Sequence, residues 1–254
     1  MHAIDLNADV GEGYTDERLL PWVTSVSVAC GAHAGSAADR ARVLAMARDL
    51  RLAVGAHPAY PDREGFGRRE LGLPPETIAA EVASQVASLV AEAARQGLFL
   101  THVKPHGALY HRAWGDPEAA AALCRGIAEV DRSLAVIGPP GSALLAAAEA
   151  AGLETLPEGY IDRRYASDGR LVPRERPGAL LATLAESVAQ ALALARGEPI
   201  GAEGGAPIRL AVRTLCLHGD SPGAGVLVRE LRRAFAEAGI AVRPALPPRR
   251  VEIS

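Results

Sequence analysis

Short apolar runs alternate with helical patterns along almost all of this 254-residue sequence. The runs are four to eight residues long and close to continuously apolar, which is typical of parallel strands that are covered on both faces. We predict strands at residues 3–8, 23–29, 52–56, 98–103, 134–137, 153–156 and 210–217, and an edge strand at 241–245.

Helix start and stop signals fill the gaps between these runs. Ser36 stands three residues before Asp39, as in a capping box, and Asp116 precedes Pro117, as at an N-cap followed by the first helical residue. Helices are therefore predicted at residues 40–50, 76–96, 118–130, 142–152, 179–197 and 222–239.

About seven strand-then-helix units predict an α/β fold, either a (β/α) barrel or a doubly wound sheet. The sequence contains no repeat, charge block or long linker, so we expect one domain over residues 1–254. Both folds bind ligands at the carboxyl ends of their parallel strands. Those ends are therefore where a functional site is expected.

Histidines and acids are concentrated at the predicted strand ends. Asp9 and Glu12 follow the first strand. Five of the seven histidines follow other strands, and these five are His33, His57, His102, His106 and His218. A single histidine at a strand end usually satisfies a nearby backbone carbonyl, but five together favour a shared site.

Several chemistries fit these side chains. Asp9 or Glu12 can act as a general base or hold a cation. Asp9, His33 and His57 can form a metal site with open coordination positions, although neither of these histidines belongs to an HxxxH or HExxH pair. Lys104 with His106 can clamp a phosphate or polarise a carbonyl.

Lys104 is the only lysine among 27 basic residues. An ammonium is a compact charge with an adjustable pKa, whereas a guanidinium is a broad and permanent cation. In this arginine-rich background, a retained lysine indicates a task that arginine cannot perform. The polar, glycine-containing segment 58–69 near the same strand ends is interpreted as an active-site lid.

The composition excludes several classes of function. The formal net charge of −3 argues against a nucleic-acid-binding protein. No apolar run is long enough to cross a membrane, and the first residues do not resemble a secretory signal. Three cysteines without a CxxC pair are consistent with a reducing cytoplasm.

The motifs at these strand ends resemble the LamB/YcsF family, in order and over nearly the whole chain. The matching segments are residues 5–12, 29–35, 55–62, 65–69, 103–110, 162–165, 168–169 and 218–220. Three positions depart from the family pattern: Ala32 replaces a usual Phe, Ala59 a frequent Gly and Ser36 a common Asp. We expect these changes to alter pocket shape more than chemistry.

The resemblance implies an irregular seven-stranded (β/α) barrel, similar to glycoside hydrolase and deacetylase barrels. It also implies one subunit of an ATP-dependent 5-oxoprolinase, which opens the lactam of 5-oxo-L-proline to L-glutamate and yields ADP and phosphate. Two partner subunits, B and C, are implied, together with Mg²⁺ accompanying ATP. Self-association and the identity of the ATP-binding subunit stay open.

The catalytic candidates are Asp9, Glu12, His33, His57, Lys104 and His106. The candidate substrate-binding residues are Asn7, Arg68, Arg69, Asp162, Arg163, His218 and Asp220. In our hypothesis Lys104 and His106 hold the amide oxygen or phosphate, Asp9 or Glu12 positions water or Mg²⁺, and His33 and His57 transfer protons. The alternatives are a metal-dependent deacetylase or amidohydrolase on the same barrel, and a non-catalytic scaffold protein within the complex.

Overall fold

A closed barrel of seven parallel strands forms the centre of the protein. A computed structural model describes residues 2–13, 18–217 and 223–250. The described strands are β1 Ala3–Val10, β2 Ser25–Ala29, β3 Ala53–His57, β4 Leu98–Phe99, β5 His102–Val103, β6 Ala135–Gly138, β7 Thr155–Tyr160, β8 Tyr165–Ala166, β9 Ala202–Glu203, β10 Thr214–Leu217, β11 Ala241–Val242 and β12 Arg249–Arg250.

The order of the strands closes the sheet on itself. Neighbours run β1, β2, β3, β5, β6, β7 and β10, and β10 pairs in parallel with β1. Asp5 lies opposite Thr214 in this closing pair. The closure confirms the predicted barrel and excludes a doubly wound sheet, whose two edges stay open.

Helices surround the barrel and cover its apolar outer face. They are α1 Ala37–Asp49, α2 Pro75–Ala94, α3 Gly107–Gly115, α4 Pro117–Val130, α5 Ala143–Ala150, α6 Leu184–Arg196 and α7 Ala224–Glu237, with a 3₁₀ helix at Leu20–Trp22. Buried side chains of α2, including Val82 and Leu89, pack in one core with Leu123 of α4 and Val103 of β5. Among the described residues, no helix is both long and apolar enough to cross a bilayer.

The predicted caps are present. Ser36 and Asp39 form a reciprocal capping box on α1, and the Asp116 side chain accepts from the first two free amides of α4. Helix α6 begins at Leu184 rather than at residue 179, because Thr183 and Glu186 form a second capping box there. Residues 162–182 instead contain β8, which pairs with β9.

Further predictions differ from the structure. The run 98–103 divides into β4 and β5; β4 leaves the barrel and pairs antiparallel with β12. Helix α3, which follows β5 directly, is absent from the predicted helices because it is only nine residues long, begins at a glycine and has no capping side chain. It matters for function because its start fixes the segment that carries Lys104 and His106.

The interior of the barrel is polar. Asp5, Asn7 and Asp9 alternate along β1, and their shared parity directs them inward. The Asp5 carboxylate accepts from the hydroxyls of Thr24, Ser25 and Thr214. Burial nevertheless dominates and raises the pKa of Asp5. Such buried polar groups are tolerated only because they are hydrogen-bonded to one another.

Candidate functional site

Glu12 lies among three histidines at the carboxyl end of the barrel. Its Oε1 is 2.9 Å from Nε2 of His33, 3.3 Å from Nδ1 of His106 and 3.8 Å from Nε2 of His57. His57 ends β3, whereas the other residues lie on the segments that follow β1, β2 and β5. Parallel strands thus bring four distant segments to one point.

Backbone carbonyls fix the tautomers of two of these rings. Nδ1 of His57 lies 2.7 Å from the carbonyl oxygen of Lys104, and Nε2 of His106 lies 2.9 Å from that of Phe66. A carbonyl only accepts, so each of these nitrogens carries the proton and donates. The opposite nitrogens, Nε2 of His57 and Nδ1 of His106, therefore present lone pairs to the site.

Burial keeps the histidines neutral. It lowers the pKa of His33 and of His106 to about 4, and it lowers the pKa of His57 well below its ordinary value. At neutral pH these rings therefore act as acceptors or metal ligands. His106 offers the site a lone pair and no N–H, so the structure does not support it as a donor to an anionic oxygen.

Lys104 lies below the histidines, inside the barrel, and is almost completely buried. Its Nζ is 2.8 Å from Oε1 of Glu158, 3.1 Å from the Asp9 carboxylate and 3.3 Å from Oδ1 of Asn7. Its ammonium also lies 3.2 Å from the Cys216 sulfur. Burial alone would lower the pKa of Lys104, but the carboxylates of Asp9 and Glu158 outweigh it and hold that pKa well above its ordinary value.

Asn7 supports this ion pair from behind. The fully buried side chain donates to Glu158 at 3.0 Å and to Thr214 at 2.7 Å while its oxygen accepts from Lys104. Tyr110 donates to the second Glu158 oxygen at 3.2 Å. The amide of Asn7 is thus committed within the barrel, which favours a positioning role over direct contact with a substrate.

The predicted lid folds over the histidines. The Phe66 ring contacts His33 and His106 edge-on, and its backbone lies in the left-handed region. The buried Asp62 carboxylate holds this turn by accepting from the amide of Gly65 and the guanidinium of Arg69. This arginine lowers the pKa of Asp62 to about 2.

A cavity of about 350 Å³ opens beside Glu12. Its walls include Glu12, His33, Phe66 and Arg63. Arg63 donates to the carbonyl oxygens of Gly31 and Gly35, which places a cation at the mouth. A small polar substrate can therefore approach the carboxylate and the histidines from this side.

The structure brings together all six predicted catalytic residues, with Asn7 behind them, but it separates the predicted substrate-binding residues. Arg68 lies over the Phe66 ring at 5.1 Å, close to the site. Arg69 is paired with Asp62, and Arg163 is buried and donates to the carbonyl of Val172. Asp162 follows β7 beside Arg163. His218 and Asp220 lie outside the described residues.

Of the predicted metal ligands Asp9, His33 and His57, the structure brings the two histidines together but leaves Asp9 outside the convergent group. Asp9 is the partner of Lys104, and His33 points its Nε2 at Glu12. The side chains whose ligand atoms converge within 4.8 Å are Glu12, His33, His57 and His106. Alternation from β5 onwards directs His106 to the same side as His102 and Lys104. This alternation does not show that His106, rather than Asp9, lies beside His33 and His57.

His102 belongs to the barrel interior rather than to the site. Thr101 and Ser27 contact its two ring nitrogens at 2.8 and 3.4 Å, and burial lowers its pKa to about 3. Glu158 is missing from the predicted site residues, although it follows the end of the predicted strand 153–156. Its position is visible in the sequence, but only the folded barrel shows that its carboxylate pairs with Lys104.

Comparison with known proteins identifies the family. The sequence profile of the LamB/YcsF family matches residues 4–250. The chain belongs to the LamB/YcsF family. Two relatives carry the name of the A subunit of 5-oxoprolinase: one from Methylococcus capsulatus, 46% identical and covering 94% of both chains, and one from Chloroflexus aurantiacus, 43% identical and covering 96% of this chain and 98% of the relative.

Solved structures confirm the barrel. The lactam utilization protein from Thermus thermophilus superposes with a TM-score of 0.89 at 38% identity, over 95% of this LamB/YcsF chain and 99% of that one. The catalytic domain of a peptidoglycan N-acetylglucosamine deacetylase from Eubacterium rectale gives a TM-score of 0.53 at 12% identity, covering 100% and 94% of the two chains. The second likeness shows the fold alone.

Proposed function

We propose that this chain is the A subunit of an ATP-dependent 5-oxoprolinase that opens 5-oxo-L-proline to L-glutamate, with ADP and phosphate as products. The observation that carries the proposal is the similarity, over almost the full length of both chains, to relatives that carry the name of the 5-oxoprolinase A subunit. The buried polar site beside a small cavity supports the same conclusion. Subunits B and C are the partners required for turnover.

The proposed reaction explains the need for such a site. A five-membered lactam is an unreactive amide, and ATP, with its Mg²⁺, supplies the phosphoryl group that activates the amide oxygen. Water then attacks the ring carbon, and the C–N bond breaks as the departing nitrogen takes up a proton, which leaves an acyl phosphate. A second water hydrolyses this acyl phosphate to the carboxylate and phosphate. Each of these steps needs a fixed acceptor or donor.

Glu12 is the carboxylate best placed to position the attacking water in this proposal. It borders the cavity, and the Nε2–H of His33 orients its carboxylate. Lys104 is too deeply buried to bind a phosphate without a rearrangement. We therefore assign it to holding Asp9 beside His57, whose Nε2 lies 3.5 Å from the Asp9 carboxylate. Arg63 at the cavity mouth, with Arg68 over the neighbouring Phe66 ring, takes the place of Lys104 and His106 in binding an anionic substrate.

The test is ATP-coupled glutamate release by this chain reconstituted with its partner subunits. Glu12→Gln keeps the shape of the side chain but removes the carboxylate charge, so we expect kcat to fall by about 100-fold or more. His111→Gln, at an exposed histidine outside the cluster, is the matched control and keeps full activity. Glutamate release by Glu12→Gln at the control rate would overturn the role of Glu12.

Lys104→Arg tests the need for a compact cation in the same assay. A guanidinium is too broad for a site bounded by Asn7, Asp9, Glu158 and Cys216 at 3.3 Å or less. We expect a large loss of kcat, and near-normal turnover would remove Lys104 from the proposal. ATPase measurements on the chain alone and with its partners identify which chain binds ATP.

The convergence of Glu12, His57 and His106 favours a second candidate, a metal-dependent amide hydrolase that needs no ATP. The two functions differ in a simple assay. Release of acetate from N-acetylated sugars by the isolated chain without ATP would support the second, whereas strict dependence on ATP supports the first. The scaffold alternative predicts that His57→Ala leaves an intact complex fully active.

A further inference from the structure

Two lone pairs face each other in the site. Nδ1 of His106 and Nε2 of His57 are 3.0 Å apart, and the other nitrogen of each ring is already donating to a backbone carbonyl. Two acceptors at this distance repel unless a positive charge lies between them. Ring orientation by outer carbonyls is also the usual arrangement around metal-bound histidines.

The carboxylate of Glu12 completes a triangle with these two nitrogens. Its sides measure 3.0, 3.3 and 3.8 Å between the ligand atoms. Metal–ligand bonds of 2.0–2.1 Å in a tetrahedron place neighbouring ligands about 3.3–3.4 Å apart. An ion therefore fits above this triangle with only small shifts of the side chains.

His33 has a different role from His57 and His106. Its ring is stacked on His106 with centroids 3.9 Å apart and planes at 9°. An ion in the plane of one ring lies far out of the plane of the other, so both rings cannot bind the same ion in this arrangement. His33 instead donates from Nε2 to Glu12 and orients that carboxylate.

The charges of the site also call for a cation. Asp9 and Glu158 both contact Lys104, whereas the Glu12 carboxylate lies among three neutral imidazoles. A cation bound beside Glu12 would balance the charge of this carboxylate. The Glu12 side chain is 12% exposed and borders the cavity, so a fourth coordination position faces solvent and substrate.

We propose that Glu12, His57 and His106 bind one Zn²⁺-like ion, with His33 as a positioning residue and the fourth position open to the cavity. Two neutral imidazoles and one carboxylate are a ligand set that Zn²⁺ accepts in catalytic sites. The inference does not rest on the lactam reaction, and it is measured without any assay of turnover.

The experiment is metal titration of the full chain after removal of bound metal with a chelator. Zn²⁺ binding is followed by competition with a chromophoric chelator, and Co²⁺ binding by its visible absorption, which reports a tetrahedral environment. We expect one ion per wild-type chain. His111→Gln, the exposed histidine outside the cluster, should leave the affinity unchanged.

Glu12→Gln and His106→Gln should each abolish stoichiometric binding. His33→Gln should weaken it by about 10–100-fold, as is usual for a residue that orients a ligand. Circular dichroism of each variant confirms that it is folded. The proposal is overturned if folded wild-type protein binds no stoichiometric ion, which would leave a shared proton between the rings, or if Glu12→Gln and His106→Gln bind as well as wild type.

Discussion

Lys104 and Glu158 form an ion pair of 2.8 Å in which both side chains are almost completely buried. The pair lies beneath the histidine cluster and connects β7 to the segment after β5. Asp9 shares the same ammonium at 3.1 Å. The Lys104 ammonium therefore stabilises the fold as well as forming part of the site. Its removal should lower both the free energy of unfolding and the activity.

Replacing Lys104 by Met leaves two carboxylates buried without a counter-charge. We expect the free energy of unfolding to fall by about 3–5 kcal/mol, measured by urea denaturation. Adding Glu158→Gln to this variant removes one of the stranded charges and should restore part of the loss. Strictly additive costs in the double variant would contradict the coupling.

The exposed pair between Arg233 and Glu237 on α7 provides the control for that experiment. Its side chains are more than 60% exposed, so Arg233→Met should change stability by less than about 1 kcal/mol. A cost as large as that of Lys104→Met would show that burial is not the deciding factor.

Acid should destabilise the metal-free protein through its buried, neutral histidines. An unfolded histidine binds a proton near pH 6.5, whereas burial holds the pKa of His33 at about 4 and that of His102 at about 3. The unfolded state thus binds more protons in this window, and stability falls as the pH drops from about 6.5 towards 4. Full stability is expected above about pH 7.

Urea denaturation of chelator-treated protein at a series of pH values across this window measures the effect. His33→Gln removes one titrating group, so its stability should depend less steeply on pH than that of wild type. Equal slopes for the two proteins would mean that His33 is not held neutral by the fold.

Gly67 lets the lid approach the histidines. Its φ is +66°, and an added Cβ would lie 2.9 Å from Cβ of His33 and 3.0 Å from Cδ2 of His106. Gly67→Ala should displace the lid and weaken Zn²⁺ or substrate binding by about tenfold or more, because backbone strain and crowding act together.

A substitution at Gly72 distinguishes backbone strain from crowding of the histidines. Its φ is +62°, but nothing lies within 4 Å of an added Cβ. Gly72→Ala should therefore cause similar backbone strain without changing affinity. Equal losses of affinity in the two alanine variants would attribute the effect to strain alone.

The neighbouring arginines Arg68 and Arg69 should behave differently. Arg68 is exposed over Phe66, so Arg68→Met should raise the KM for an anionic substrate with little effect on thermal stability. Arg69 is committed to Asp62, and Arg69→Met should instead make the lid more sensitive to limited proteolysis. The reverse pattern would reassign the substrate-binding role.

The barrel could be predicted because each buried parallel strand leaves a nearly continuous apolar run between helix signals. Parity along β1 also places Asp9 with Asn7 and Asp5 inside the barrel. The alternation of side chains along a strand shows whether a residue faces the barrel interior. It does not show how deep within the barrel that residue lies. His102 and His106 share a parity, yet His102 lies opposite Gly55, and a Cβ there would be 2.2 Å from its ring.

The lid contacts could not be predicted for a different reason. The tautomer of His106 depends on the carbonyl of Phe66, which is 40 residues away along the chain. That contact requires Phe66 and Gly67 to adopt positive φ values in a turn fixed by Asp62. The sequence marks the segment as a long polar loop, but only the folded chain shows which of its groups faces the histidines.

The contact between Asp5 and Thr214 has a consequence during synthesis. These residues are 209 positions apart, and their hydrogen bond closes the barrel between β1 and β10. The ribosome must therefore add about 200 residues after β1 before this strand finds its second neighbour. Until β10 has been synthesised, Asp5 and Asn7 lack their partner Thr214, so the complete site cannot assemble earlier.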